Sequence, residues 1–399
     1  MKIKVFKMRL APTEAQKSRL NQYIGAARKM QNLLLDDAQQ RYRQWLADGQ
    51  PKDQRPQLTH IGFNYRVTEI KHRSDLEWMN DYPVVTYQRA AYDLANAFSR
   101  FFSKKAKFPK FKSRFDKNSV QFTPQYFHIV NGKLLLSRFG TLISVRWDKR
   151  KMPNSIKMVT VVRRPSGHYD ALFACEVEEQ QVDLSVTGSI GIDLGIKDLA
   201  VTSDGEILKN PKYYIQGQKK LKQLSQRVSR RKPPKGVKAS KRYLLAKQQL
   251  AKHHEHMSNQ RKDLLHKFTT NIVRQYRVIV IEDLAPSNMM KNHRLAKHVG
   301  DAAFRMMRTM FEYKVKWSNT STLIVADRWY PSTQLCSCCG KRPEQKLLLK
   351  VREWTCAFCN TRHHRDFNAS MNLERISYSY TDRINNLRGG VIQANPFMR

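Results

Sequence analysis

Apolar residues recur at helical intervals along residues 14–48: Leu20, Tyr23, Ile24, Ala27, Met30, Leu34 and Ala38 share one face, and Arg28, Lys29 and Arg41 fall among the polar positions. The spacing predicts a long amphipathic helix, ended by Asp48-Gly49-Gln50-Pro51. A second stripe, Tyr87, Ala91, Leu94, Ala95 and Phe98, predicts a helix over 84–102, so the first hundred residues read as mainly helical. The texture changes after Pro109. Asn131-Gly132, between the runs 126–130 and 133–137, predicts a hairpin because both turn residues tolerate positive φ. Pro165-Ser166-Gly167 predicts another between 159–162 and 169–177. Strands this short and this closely spaced form a small antiparallel sheet or a barrel. From Ser189 onward strands and helices mix. Residues 190–195 and 199–202 predict adjacent strands turned at Ser203-Asp204-Gly205, and 322–326 predicts another. Residues 278–281, after Arg277, are aliphatic throughout, as in a strand buried on both faces. Helical stripes flank that strand: Leu264, Leu265, Phe268, Ile272 and Val273 before it, and Phe304, Met307, Met310, Phe311 and Val315 after it. The residues past about Tyr378, with Gly389-Gly390 and Pro396, read as a flexible tail.

Charge narrows the class. The 399 residues carry 73 Lys and Arg against 33 Asp and Glu, a net +40, and such a potential calls for a polyanionic partner. No apolar run reaches bilayer length, and Met1-Lys2-Ile3-Lys4 lacks the apolar core of a secretory signal. The expectation is a soluble intracellular protein of two or three domains that binds nucleic acid. Two basic segments carry that expectation. Residues 209–252 hold 15 Lys and Arg, including Lys219, Lys220, Arg230 and Arg231, with no acid between Glu206 and Glu255. His253, His254 and His256 follow, expected to face RNA or solvent. The segment 100–117 interleaves Phe101, Phe102, Phe108, Phe111 and Phe115 with basic residues that include Lys110 and Lys112. Those rings either stack on bases or pack into the fold.

Of six cysteines, Cys175 sits in the apolar run Ala171-Leu172-Phe173-Ala174 and reads as a core thiol. The others cluster. Cys336 and Cys339, then sixteen residues, then Cys356 and Cys359, form two C-x-x-C knuckles spaced as in a zinc ribbon. Four thiolates close a tetrahedral site, so its role is structural. Cys338 is the bystander, and His363 and His364 stand near enough in sequence to substitute for a ligand. Three carboxylates complete the chemistry. Asp193 ends one strand pattern, where Gly195 permits close backbone approach; Glu282 ends another; Asp366 lies at a helix start. Singly each is an ordinary solvated terminus or cap. Together they match the oxygen-rich ligand set of a two-metal, ribonuclease H-like phosphoryl-transfer site, with Mg²⁺ offsetting their repulsion.

These motifs resemble TnpB, the RNA-guided nuclease family of small bacterial insertion sequences, related to type V CRISPR effectors. The resemblance spans nearly the whole chain. It rests on Leu10-Ala11-Pro12-Thr13 with Gln16; Gly25, Arg28 and Asn32; Phe108-Pro109-Lys110-Phe111-Lys112; Gly191-Ile192-Asp193-Leu194-Gly195; Asn259-Gln260-Arg261-Lys262-Asp263; Ile281-Glu282-Asp283-Leu284; Pro331-Ser332-Thr333-Gln334-Leu335-Cys336-Ser337; and Arg365-Asp366-Phe367-Asn368-Ala369. Asn360 and His364 depart from the family, which often has glycine and an acid there. The resemblance implies an α/β plus β chain. A wedge-like β-barrel (1–10 and 103–183) is interrupted by a helical recognition domain (11–102). A RuvC-like nuclease (184–332 and 362–377) carries an inserted zinc ribbon (333–361), and a tail follows (378–399). It further implies Asp193, Glu282 and Asp366 as the catalytic, Mg²⁺-binding triad, and Cys336, Cys339, Cys356 and Cys359 as zinc ligands. Gln88 and Thr123 fall where the family places contacts to a short motif flanking the target, so the resemblance implies that role for them. The partners implied are one transposon-derived guide RNA on a monomer, and double-stranded target DNA, in a bacterial or archaeal cytoplasm at the nucleoid. A nuclease-inactive RNA-guided repressor, a transposase with the same core and a non-catalytic RNA-binding zinc protein are the rival readings; the three carboxylates and the ribbon weigh against each.

Overall fold

The computed structural model describes residues 2–51, 56–114, 116, 118–148, 155–179, 181–345, 347–348, 351–380 and 390–394. Phe115, Lys117, Gly389 and Pro396 lie outside the described residues. The chain divides into two compact units, Met1–Glu178 and Glu179–Arg399.

In the first unit, strand β1 (Lys2–Leu10) leads into α1 (Glu14–Ala47), α2 (His60–Lys71) and α3 (Val84–Phe102). Strands β2 (Asn118–Phe122), β3 (Phe127–Val130), β4 (Lys133–Leu136), β5 (Ile143–Arg146), β6 (Ile156–Arg163) and β7 (Tyr169–Val177) follow. Helix α1 starts where Thr13 and Gln16 cap each other reciprocally, and every residue of its expected stripe is buried. The expected 84–102 helix is α3. Both expected hairpins form, and Asn131 and Gly132 take φ of 48° and 69°, the primed turn that matches strand twist. The sheet is antiparallel throughout, in the order β2-β6-β7-β1-β5-β4-β3, and one hydrophobic core joins its inner face to all three helices. The chain's first strand therefore lies in the middle of a sheet whose other members come a hundred residues later. Cys175 is fully buried in that core, and burial pushes its thiol up to about 11.

The second unit runs β8 (Ser189–Asp193), β9 (Asp198–Thr202), β10 (Ile207–Lys209), α4 (Tyr213–Arg230), α5 (Lys241–Gln275) and β11 (Val278–Ile281). It continues through α6 (Pro286–Met289), α7 (His293–Ala302), α8 (Phe304–Ser318), β12 (Thr322–Val325), β13 (Glu353–Thr355), β14 (Arg362–His364), α9 (Arg365–Arg375) and β15 (Val391–Gln393). The main sheet has the order β10-β9-β8-β11-β12-β15. Strands β8, β11, β12 and β15 are parallel, while β9 and β10 fold back antiparallel. Ile279 and Ile281 enter a core shared with α5 and α8, whereas Val278 and Val280 enter one shared with Leu373 of α9. Burial on both faces explains the unbroken aliphatic run. Part of the tail expected past Tyr378 is corrected here; residues 381–389 and 395–399 lie outside the described residues. Val391–Gln393 pairs with β12, and Tyr380 and Ile392 are buried, because β12 offers an edge that this short apolar run completes. His253 also departs from expectation. Its Nε2 lies 3.1 Å from the Gly217 carbonyl, where α4 crosses α5 closely enough that a side chain at position 217 would meet Met257 Sδ at 2.5 Å.

Candidate active site and metal centre

Register places two of the three carboxylates. Ile192 pairs with Ile281, and Ile281 with Val325, so β8, β11 and β12 end level and Asp193 and Glu282 leave the sheet side by side. Helix α9 supplies the third. Gly191 lets it approach: a Cβ there would meet Ser370 O at 2.0 Å and Glu374 N at 2.4 Å. Gly195 serves the local turn, since its Cβ would meet Asp198 O at 2.7 Å.

Asp193 is buried. Burial first, then the charges of Glu282 and Asp366, raise its carboxyl well above the ordinary carboxylate range. Burial also raises Glu282, against the opposing effect of hydrogen bonds from Ser332 and Asp193. Two like charges this close share a proton unless cations neutralise them. Ser332 Oγ donates to Glu282 Oε1 at 2.7 Å. Arg352 Nη1 lies 2.9 and 2.8 Å from the two oxygens of Asp366. The oxygen-only donor set and its crowded charge fit a hard divalent ion.

The four cysteines converge as well. The sulfurs of Cys336, Cys339, Cys356 and Cys359 all lie within 4.8 Å of one another. Cys336 and Cys359 are 3.5 Å apart, and Cys339 and Cys356 3.7 Å. A tetrahedron with metal–sulfur bonds of about 2.3 Å has edges of about 3.8 Å, so the set fits zinc. Cys338 is exposed, outside the group. His363 Nε2 is 3.0 Å from Cys336 Sγ, and its ring packs on Trp354, tilted by 35° with 4.8 Å between centroids; His364 is exposed. Asn360 takes a φ of 55°, which explains both the glycine usual there and the tolerance for asparagine. Side-chain amides tie this cluster to α9. Asn368 Nδ2 donates to Leu335 O at 2.7 Å, and Asn372 Nδ2 donates to Ser332 O and Leu335 O, each at 2.8 Å. The cysteine site thus braces the helix that bears Asp366.

The expected nucleic-acid residues are spread over both units. Lys219, Lys220, Arg230 and Arg231 are exposed on α4 and at its end. Lys110 is exposed, while the Lys112 backbone is held by Asn32 on α1 through bonds of 2.9 and 2.8 Å. Phe101, Phe102 and Phe108 pack on one another and, through Phe102 and Phe108, on Phe98. Gln88 and Thr123 are half-buried. Their neighbours Arg89 and Gln121 hydrogen-bond at 2.8 Å, which brings the two segments together. Sequence reasoning does not single out Ser332, Arg352, Asn368 and Asn372 as site residues. Ser332 and Asn368 do stand inside motifs that carry the resemblance; Arg352 carries no local signal.

A Streptomyces pristinaespiralis protein named "Putative RNA-guided DNA endonuclease" is 34% identical to this chain over 373 residues, covering 93% of the chain and 88% of that protein. The chain belongs to the TnpB family. An Escherichia coli (strain K12) relative named "Putative RNA-guided DNA endonuclease InsQ" is 26% identical over 93% of this chain and 92% of its own length. Residues 172–293 match the family described as "Probable transposase", 304–373 the "Cas12f1-like, TNB domain" and 1–45 a "Helix-turn-helix domain". In this TnpB-family chain that last stretch holds a strand and one 34-residue helix, α1, running to Ala47. A solved structure, the Cas12f1-sgRNA-target DNA complex, covers 91% of the chain and 83% of its own at a TM-score of 0.56 and 12% identity, a likeness of fold.

Proposed function

We propose that this chain is an RNA-guided, Mg²⁺-dependent DNA endonuclease that cuts double-stranded DNA complementary to the guide part of a transposon-derived RNA, beside a short flanking motif. One observation carries the reading: Asp193, Glu282 and Asp366 come together at one edge of a mainly parallel sheet, where burial and then the charges of Glu282 and Asp366 raise Asp193. The names of the relatives support the same activity. In this reading the RuvC-like site holds Mg²⁺ on those three residues, where bound metal supplies an activated water and stabilises the leaving oxygen. Ser332 holds Glu282 in place, and Arg352 orients Asp366. Zinc on Cys336, Cys339, Cys356 and Cys359 is structural, because four thiolates leave no open position. A single protein copy binds one guide RNA. Target sequence is read by base pairing with the guide, and Gln88 and Thr123 contact the flanking motif, an amide and a hydroxyl being suited to base edges.

The test is cleavage of a plasmid with a guide-matched target, in Mg²⁺ or EDTA, with the strands labelled separately. Asp193→Ala should bind guide and target as before and cut neither strand, since one site serves both. Residual cutting of one strand would require a second active site. Cutting indifferent to the guide would reduce the protein to a nonspecific nuclease, and guide binding without any cutting by the unsubstituted chain would favour the repressor reading.

A further inference from the structure

Trp329 is 83% exposed, an unusual state for the largest apolar side chain in a folded chain. Its position makes the exposure informative. It lies three residues past Ala326, on the loop leaving β12 at the edge where Asp193 and Glu282 emerge. Both flanks of that loop are fastened to the carboxylate strand. Arg328 Nη2 donates to Asp283 Oδ2 at 2.6 Å, and Ser332 Oγ donates to Glu282 Oε1 at 2.7 Å. Within the loop, Trp329 N donates to Asp327 Oδ1 at 2.8 Å, and Tyr330 N to Asp327 O at 3.1 Å. Tyr330 Oη donates to Asn372 O on α9 at 3.0 Å. Glu282, Asp283, Asp327, Arg328, Tyr330 and Leu373 line a cavity of about 200 Å³ beside the loop. The loop is therefore held at both flanks, and the indole it carries stands out into solvent on the side of the carboxylates.

We propose that Trp329 is a stacking platform for an unpaired nucleobase next to the scissile phosphate, a positioning residue that sets where the strand enters the carboxylate site. The inference rests on the nuclease reading above. Every base has a π-face, so an indole positions a strand without reading its sequence, which suits a protein whose specificity resides in a guide. The Arg328 guanidinium, at the preceding position, is half-exposed and engaged with Asp283, so it helps hold the loop that carries the indole.

The experiment is single-turnover cleavage by the full chain with its guide RNA. It uses matched DNA carrying one abasic residue at each of the three positions on either side of the mapped cut. Trp329→Ala should slow cleavage of intact DNA about 5- to 150-fold, the contribution of one stacked base. Trp329→Phe should recover most of the rate, and Trp329→Leu, apolar but not flat, should not. Guide-RNA affinity should not change. One abasic position should slow the unsubstituted protein comparably and have no further effect on Trp329→Ala. Equal rates for Trp329→Ala and the unsubstituted chain would overturn the stacking role while leaving the nuclease reading intact. Additive losses at every abasic position, or weakened guide binding, would assign the indole to another contact. Absence of cleavage by the unsubstituted protein would overturn the nuclease reading, and this inference with it.

Discussion

Two of the knuckle cysteines differ in electrostatic setting. Burial pushes the Cys336 thiol up to about 12, whereas hydrogen bonds with Thr361 hold Cys359 down to about 6. A metal that binds the four as thiolates releases their protons as it binds. Structural zinc contributes roughly 10–16 kcal/mol in small peptides, so losing one ligand should undo the ribbon. Through Asn368 and Asn372 it should also release α9 and Asp366. Cys356→Ser is expected to lose zinc and cleavage together, while Cys338→Ser keeps both; zinc per chain by atomic emission and the plasmid assay measure them. Full zinc in Cys356→Ser would refute the ligand set, and loss in Cys338→Ser would move it.

Among the elements, β8 and α9 form the contact that assembles the site, and Gly191 makes it possible. The atoms a Cβ would strike there are backbone, which cannot rotate aside. Gly191→Ala should force α9 away from the sheet at a cost of about 1–3 kcal/mol, the usual range for overpacking. The expected result is a lower thermal midpoint and strongly reduced cleavage with guide-RNA affinity retained, measured by calorimetry, the plasmid assay and filter binding. Unchanged cleavage would mean that Asp366 does not depend on this packing. In sequence the conspicuous glycine is Gly195, because it follows Asp193. The one that positions the site faces a helix some 180 residues further on, and no local pattern discloses that.

At the scale of the molecule, charge dominates. The α4–α5 pair carries an acid-free run of lysines and arginines whose named members, Lys219, Lys220, Arg230 and Arg231, are exposed. Phosphate contacts release counterions, so guide affinity should fall steeply with salt. Replacing those four by Gln should flatten the slope of log K against log salt by about 0.7 for each single-stranded phosphate that is no longer neutralised, read by filter binding across a salt titration. An unchanged slope and affinity would assign the run to another role. Much of this protein was legible in one dimension. The stripes of α1 and α3, the Asn131-Gly132 hairpin, the doubly buried β11 and the paired cysteine knuckles are all short-range patterns, set by helix period, turn stereochemistry and ligand spacing. Other features required partners that are distant in sequence: β1 between β7 and β5, β15 beside β12, Arg352 on Asp366, Ser332 on Glu282, and His253 on Gly217. A carboxylate at a strand end looks the same in sequence whether it caps a turn or repels two others. Only the folded sheet, by ending three parallel strands level and bringing α9 onto Gly191, buries Asp193 and sets Glu282 and Asp366 close enough to add to that burial in raising it.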